Sequence, residues 1–200
     1  VSAERGPDSY GFELLRHKHA EYAPHPNCPD VTEWDRYARK KTDIGDEPRT
    51  EGRIIRPGYP SYTQYGVKED PYKDSLTVGA AVDKLASMDT DEPFFMFVGP
   101  LGPHDPYFVP QRFLDMYDPD DIRLPDNFDD DLSDKPTLYR RTKERYSQLS
   151  REEHRESIRR FYAFCSYEDE LFGRLLDAVE ARGLMENTLI LYTSDHGDYI

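Results

Sequence analysis

Between positions 151 and 182 the apolar residues Ile158, Phe161, Tyr162, Cys165, Phe172, Leu175, Leu176 and Val179 recur at helical spacing, on one face of a 3.6-residue period. Ser150 and Glu153 stand at the two positions of a capping box, and Gly183 follows where a left-handed residue closes a helix. A long helix is therefore predicted from about Arg151 to Arg182. A second is predicted from Asp74 or Ser75, either of which can cap it, to about Met88, with Leu76, Val78, Ala81, Val82 and Leu85 facing inward. Two other stretches change the pattern. Phe94 to Val98 and Leu189 to Tyr192 are short unbroken apolar runs, as expected of strands covered on both faces. A short helix is expected around Gln111 to Tyr117.

The order helix, strand, connection, helix, strand is that of an α/β fold with a mostly parallel sheet sandwiched by helices. Two strands do not make a stable buried sheet, so further strands are expected to complete it and the chain is read as truncated at both ends. Residues 74–200 carry this helix–strand–helix–strand part of the core. Residues 1–73 lack a clean period and are punctuated by Gly6-Pro7, Pro24, Pro26, Pro29, Pro57-Gly58, Pro60 and Pro71, which reads as an irregular, loop-rich segment of the same domain. Residues 118–149 read as acidic and irregular.

Composition narrows the function classes. Twenty-six Lys and Arg against 40 Asp and Glu give a net charge of −14, which argues against nucleic-acid binding and against docking on an anionic membrane. A small anionic substrate remains compatible, because a metal ion and a few cations reverse the field locally. No run approaches the ~18 apolar residues of a membrane span. The two cysteines, Cys28 in a loop and Cys165 on the apolar helix face, have no Cys-x-x-Cys spacing and do not suggest a structural zinc site.

Ligands of open α/β sheets bind beyond the carboxyl ends of the strands. The run 94–98 leads into Gly102-Pro103-His104-Asp105-Pro106, and the run 189–192 leads into Ser194-Asp195-His196-Gly197-Asp198. If both strands point the same way, the two loops face one crevice. Asp195 and His196 offer an oxygen and an imidazole to a divalent cation, with Gly197 free to take the backbone turn that aims both at one ion. Additional oxygen donors would favour Ca²⁺ or Mg²⁺. His104, stiffened by prolines on either side, suits a general acid at a leaving group, and Asp105 is a candidate for orienting it. His17 and His19 lack a placed carboxylate partner; His25 lies in a proline-rich loop and His154 is expected on the solvent side of its helix. The Asp-rich stretch 126–134 lacks the glycine and terminal Glu of an EF-hand loop and reads as solvated surface.

Taken together, these stretches resemble the sulfatase family of the alkaline-phosphatase-like superfamily. FFMFVGPLGPHDPYFVPQRFLDMYDPDDIRLPDNF is similar to the family's strand, proton-donor loop and following segment. FYAFCSYEDELFGRLLDAVEARGLMENTLILYTSDHGDY is similar to its long helix and metal-bearing strand, and PDSYGFE to its Tyr-Gly-Phe segment. The resemblance implies an alkaline-phosphatase-like fold and hydrolysis of small-molecule or carbohydrate sulfate esters. It also implies a formylglycine nucleophile beside a divalent metal, most often Ca²⁺ with Mg²⁺ or Mn²⁺ as alternatives. Asp195 and His196 would be two metal ligands and His104 the histidine near the leaving-group oxygen. The Cys/Ser-x-Pro-x-Arg motif that yields formylglycine does not occur in these 200 residues, nor does the lysine expected after Asp198, so the nucleophile is expected outside them and the isolated piece is expected to be inactive. A phosphonate or phosphate ester hydrolase of the same superfamily, and a non-catalytic scaffold that has lost the nucleophile, are the alternatives.

Overall fold

The computed structural model describes residues 11–13, 15, 49–56 and 59–198. The readings of His17, His19, His25 and Cys28 lie outside the described residues. Among the described residues the chain builds two small sheets and four α-helices. Strands β1 (Arg53–Arg56) and β2 (Tyr59–Thr63) pair antiparallel, whereas β3 (Tyr65–Val67) and β4 (Tyr107–Val109) pair parallel in the register Tyr65 to Tyr107 and Val67 to Val109. Between β3 and β4 the chain passes through α1 (Asp74–Ser87), giving a βαβ connection. After β4 come α2 (Gln111–Leu114), α3 (Thr137–Tyr146) and the long α4 (Arg151–Ala181).

The helix α4 forms as its local signals require. Ser150 Oγ accepts the Glu153 amide at 3.2 Å while the Glu153 carboxylate takes the Ser150 amide at 2.7 Å. At the far end Gly183 adopts φ 67°, and the amides of Gly183 and Leu184 reach the Glu180 and Val179 carbonyls at 2.8 and 3.1 Å, a Schellman closure. The buried stripe is displaced from the expected one. Ser157, Ile158, Phe164, Tyr167, Glu168 and Leu171 are buried, whereas Tyr162 and Cys165 are exposed. Cys165 is thus a surface thiol and not a core one. The helix has two apolar arcs: one packs on α1, β4 and α2, and the other turns Phe172 onto Tyr192, ring centroids 4.8 Å apart. Periodicity alone could not say which arc would be covered.

The core between α4 and the βαβ unit is aromatic. Tyr72 stacks on Phe164 at 6.0 Å, and Tyr107 and Phe113 meet Phe161 and Tyr167 edge-on at 5.6 and 5.5 Å. Residues Val78, Ala81 and Leu85 of α1 complete it, while Leu76, expected to face inward, is exposed.

Three expectations differ from what the described residues form. The segments 94–98 and 189–192 are extended but join no sheet among the described residues, and Phe97 and Leu191 are 81% and 80% exposed. A strand is completed by a partner's backbone, and none of the described residues supplies one here. The pairing strands β3 and β4 are short and lie in stretches read as loop. Residues 137–146, read as irregular, form α3; that helix buries none of its residues, so no apolar period marks it. Finally, the first helix is bounded by Lys73 at φ 59°, and its N-terminal bonds come from Asp70, which accepts the Ser75 amide at 3.3 Å and the Ser75 hydroxyl. Asp74 is directed elsewhere. No helix among the described residues is long and apolar enough to cross a membrane.

Candidate active site

The loop that precedes β4 presents His104. Its backbone is tied down from three sides. The His104 amide donates to the Leu101 carbonyl at 3.2 Å, and the Tyr72 hydroxyl donates to the carbonyls of His104 and Asp105 at 3.1 and 2.7 Å. Asp74 accepts the amides of Leu101 and Gly102 at 3.0 and 2.9 Å. The peptide bonds before Pro103 and Pro106 are cis. The imidazole itself is half-exposed, with Nδ1 2.9 Å from Asp105 Oδ1. The bond to Asp105 is the main cause that raises the His104 pKa from 6.5 to about 9, against the opposing effect of burial; the charge of Asp198 adds to the rise. His104 is therefore cationic at neutral pH, with Asp105 on Nδ1 and no partner on Nε2 among the described residues. Asp105 thus pairs with His104 and does more than start a turn.

A second element reaches this loop. The Tyr107 hydroxyl donates to Asp198 Oδ2 at 2.6 Å, which joins the strand leaving the His104 loop to the segment bearing Asp195 and His196. Burial, then the bond to Asp198, raises the Tyr107 pKa, so its proton stays in that bond. Asp195 and His196 are exposed. The His196 amide donates to Asp195 Oδ1 at 3.0 Å, its Nδ1 lies 2.8 Å from the Gly197 carbonyl, and its Nε2 is 3.7 Å from Asp195 Oδ2. A carboxylate and an imidazole turned to within this distance of each other fit two positions of a divalent-cation site. Among the described residues no group of three or more His, Cys, Asp and Glu gathers to complete one.

A family model named Sulfatase matches residues 7–200, nearly the whole chain. The chain belongs to the sulfatase family. Its similarity to individual members is moderate. A protein named Ulvan-active sulfatase from Formosa agariphila is 31% identical over 136 residues, 68% of this chain and 23% of the relative. An Arylsulfatase from Clostridium perfringens is 28% identical over 138 residues, 67% of this chain and 28% of the relative. The human Iduronate 2-sulfatase is 28% identical over 179 residues, 82% of this chain and 32% of the relative. The aligned part is thus only about a quarter to a third of these sulfatases.

Other titratable residues have structural surroundings. His154, expected in solvent, is half-buried with its ring 4.9 Å from that of Phe128, and burial lowers its pKa. Asp129, Asp130, Asp131 and Asp134 are engaged in surface bonds, such as Asp129 with Arg151 at 2.8 Å. The residues that sequence reasoning passed over are those behind the sulfatase loop: Tyr72, Asp74, Tyr107 and Glu168. Glu168 had a visible signal, because it falls in line with Phe164 and Leu171 on an otherwise apolar arc, where an acid is out of place.

Proposed function

We propose that the full-length protein is a sulfuric ester hydrolase in which His104 donates the proton to the departing ester oxygen. The observation that carries this reading is His104, held through Nδ1 by Asp105, in a loop joined by Tyr107 and Asp198 to the Asp195–His196 segment. An alkoxide leaves sulfur poorly unless protonated, and an imidazolium with a free Nε2 proton supplies what that bond cleavage lacks. As the sulfur–oxygen bond breaks, the Nε2 proton passes to the leaving oxygen, and Asp105 holds the ring through Nδ1 throughout. Asp195 and His196 would hold a divalent cation, Ca²⁺ with Mg²⁺ or Mn²⁺ as alternatives, which when bound supplies positive charge to the sulfate oxygens. The attacking nucleophile, a formylglycine on this reading, lies outside these residues. Substrates are sulfate esters of small molecules or carbohydrates.

The same reading puts the βαβ unit and α4 into a mostly parallel, helix-sandwiched sheet of the alkaline-phosphatase-like type, with 94–98 and 189–192 as two of its strands. The extended backbone and the exposed apolar side chains of both segments support it.

The test is leaving-group dependence in the full-length enzyme. General acid catalysis contributes roughly 10²- to 10⁴-fold, so His104→Ala should lower kcat on an alkyl sulfate by about that factor and on an aryl sulfate of an acidic phenol by under ~10-fold. Equal losses on both substrates would remove His104 from the acid role. A parallel panel of phosphate and phosphonate monoesters, turned over faster than the sulfates, would overturn the substrate class.

A further inference from the structure

The His104 loop meets α4 through its backbone. A Cβ placed on Gly102 would stand 2.1 Å from Glu168 Oε1 and 2.6 Å from Phe164 Cε2, so the loop lies directly on two buried side chains. Under the same turn is Asp74, 2% exposed, with Oδ1 accepting the Leu101 amide and Oδ2 the Gly102 amide. An aspartate in the first turn of a helix ordinarily serves its own helix's free amides. Asp74 does not; Asp70 takes that place through Ser75, and Asp74 spends both oxygens on a loop 27 and 28 residues away. Such a bidentate grip fixes two consecutive peptide planes immediately before Pro103 and His104.

Beside the grip, against Gly102, lies Glu168, 7% exposed, whose oxygens meet no donor among the described residues. Two adjoining buried carboxyl groups do not both ionise. Burial, then the charge of Asp74, raises the Glu168 pKa and favours its neutral acid, the form able to donate to Asp74.

We propose that Asp74 is a positioning residue for His104, clamping the Leu101 and Gly102 amides so that the imidazole two positions further on stays aligned with the departing ester oxygen. Glu168 acts one step further back, orienting the Asp74 carboxylate. This rests on the reading of His104 as the proton donor.

The test uses the full-length enzyme and the ratio of kcat on an alkyl sulfate to kcat on an aryl sulfate of an acidic phenol. A residue that merely supports folding lowers the amount of active enzyme and leaves that ratio unchanged. Because misplacement of a catalytic group by about 1 Å costs on the order of 10²-fold, Asp74→Asn, which gives up one acceptor, should lower the ratio by about tenfold with KM unchanged. Glu168→Met, which removes the donor to Asp74, should lower it by a smaller factor, and Glu168→Gln, which keeps a donor, should return it to the wild-type value. In a His104→Ala background Asp74→Asn should add nothing to the ratio. Should Asp74→Asn fail to fold, the Glu168→Met and Glu168→Gln pair carries the same test. An unchanged ratio in the folded variants, with His104→Ala still altering it, overturns the clamp alone; an unchanged ratio in His104→Ala itself overturns the proton-donor reading and the clamp with it.

Discussion

The two loops of this sulfatase chain are held in opposite ways. The His104 loop is built from behind: Tyr72 takes its carbonyls, Asp74 its amides and Asp105 its imidazole, all over an aromatic core. The Asp195–His196 segment is exposed, bonded mainly to its own neighbours, and joined to the rest of the site by the Tyr107–Asp198 bond. On the proposed reading, proton donation needs one side chain at a fixed place, and the residues around His104 would supply that place. A divalent cation needs several donors converging, and among the described residues Asp195 and His196 are two candidates, with no third gathered beside them.

Variants can break or sharpen that contrast. The largest effect is expected in the exposed segment: Asp195→Ala in the full-length protein should bring bound divalent metal, read by plasma emission spectrometry, down to background. Its metal-free stability should move by no more than about 0.5 kcal/mol, as for surface positions without structural partners. Retained metal would refute the ligand assignment, and a large loss of metal-free stability would refute the contrast. On the packed side the order reverses. Gly102→Ala should cost about 1–3 kcal/mol by overpacking, because neither Phe164 nor Glu168 has room to swing away, and denaturant melts should show it.

A third site tests the packed side by pH. Arg49 forks onto Glu153 at 2.5 and 2.7 Å, and the Gly52 amide adds a bond at 2.8 Å, so the Glu153 pKa falls from 4.5 to about 2, chiefly through Arg49. A depressed carboxyl pKa gives stability that is present above about pH 4.5 and lost as pH falls toward 2. With Arg49 27% exposed and partly screened, the contribution is about 2 kcal/mol. Arg49→Ala should remove about that much at pH 7 and far less at pH 2; a loss independent of pH would contradict the pairing.

The fourth effect is a displacement of a profile. The proton on His104 is available below about pH 9, so kcat on alkyl sulfates should fall above that pH. Asp105→Asn removes the main cause of the raised value and should bring the falling limb down toward neutrality; an unmoved limb would assign it to another group. The smallest change is expected from Tyr107→Phe, which deletes one hydrogen bond to the exposed Asp198 and should cost about 0.5–1.5 kcal/mol in denaturant melts.

What could be read from sequence follows from how local each feature is. The long helix α4 was legible because its capping box, apolar period and closing Gly183 all lie within the segment itself. The helix α3 was not, because it buries none of its residues and leaves no period to read. The pairing of strands was not legible for a related reason. An apolar run such as 94–98 reports that a segment wants cover, whereas pairing depends on backbone that arrives from elsewhere, and β3 and β4 find each other across 42 positions of register, Tyr65 with Tyr107. The site divides in the same way. His104 stood out because prolines flank it and Asp105 adjoins it, but Asp74 reaches the loop only through tertiary folding, and nothing near position 74 announces residues 101 and 102.

The central claim, that one ester is served by both loops, is tested most directly by a crystal structure of the full-length protein with Ca²⁺ and a slowly cleaved alkyl sulfate. The account predicts Asp195 and His196 on the ion, a sulfate oxygen beside it, and His104 Nε2 about 3 Å from the ester oxygen. An ester bound at the ion with His104 on another face of the molecule, out of reach of that oxygen, would contradict it.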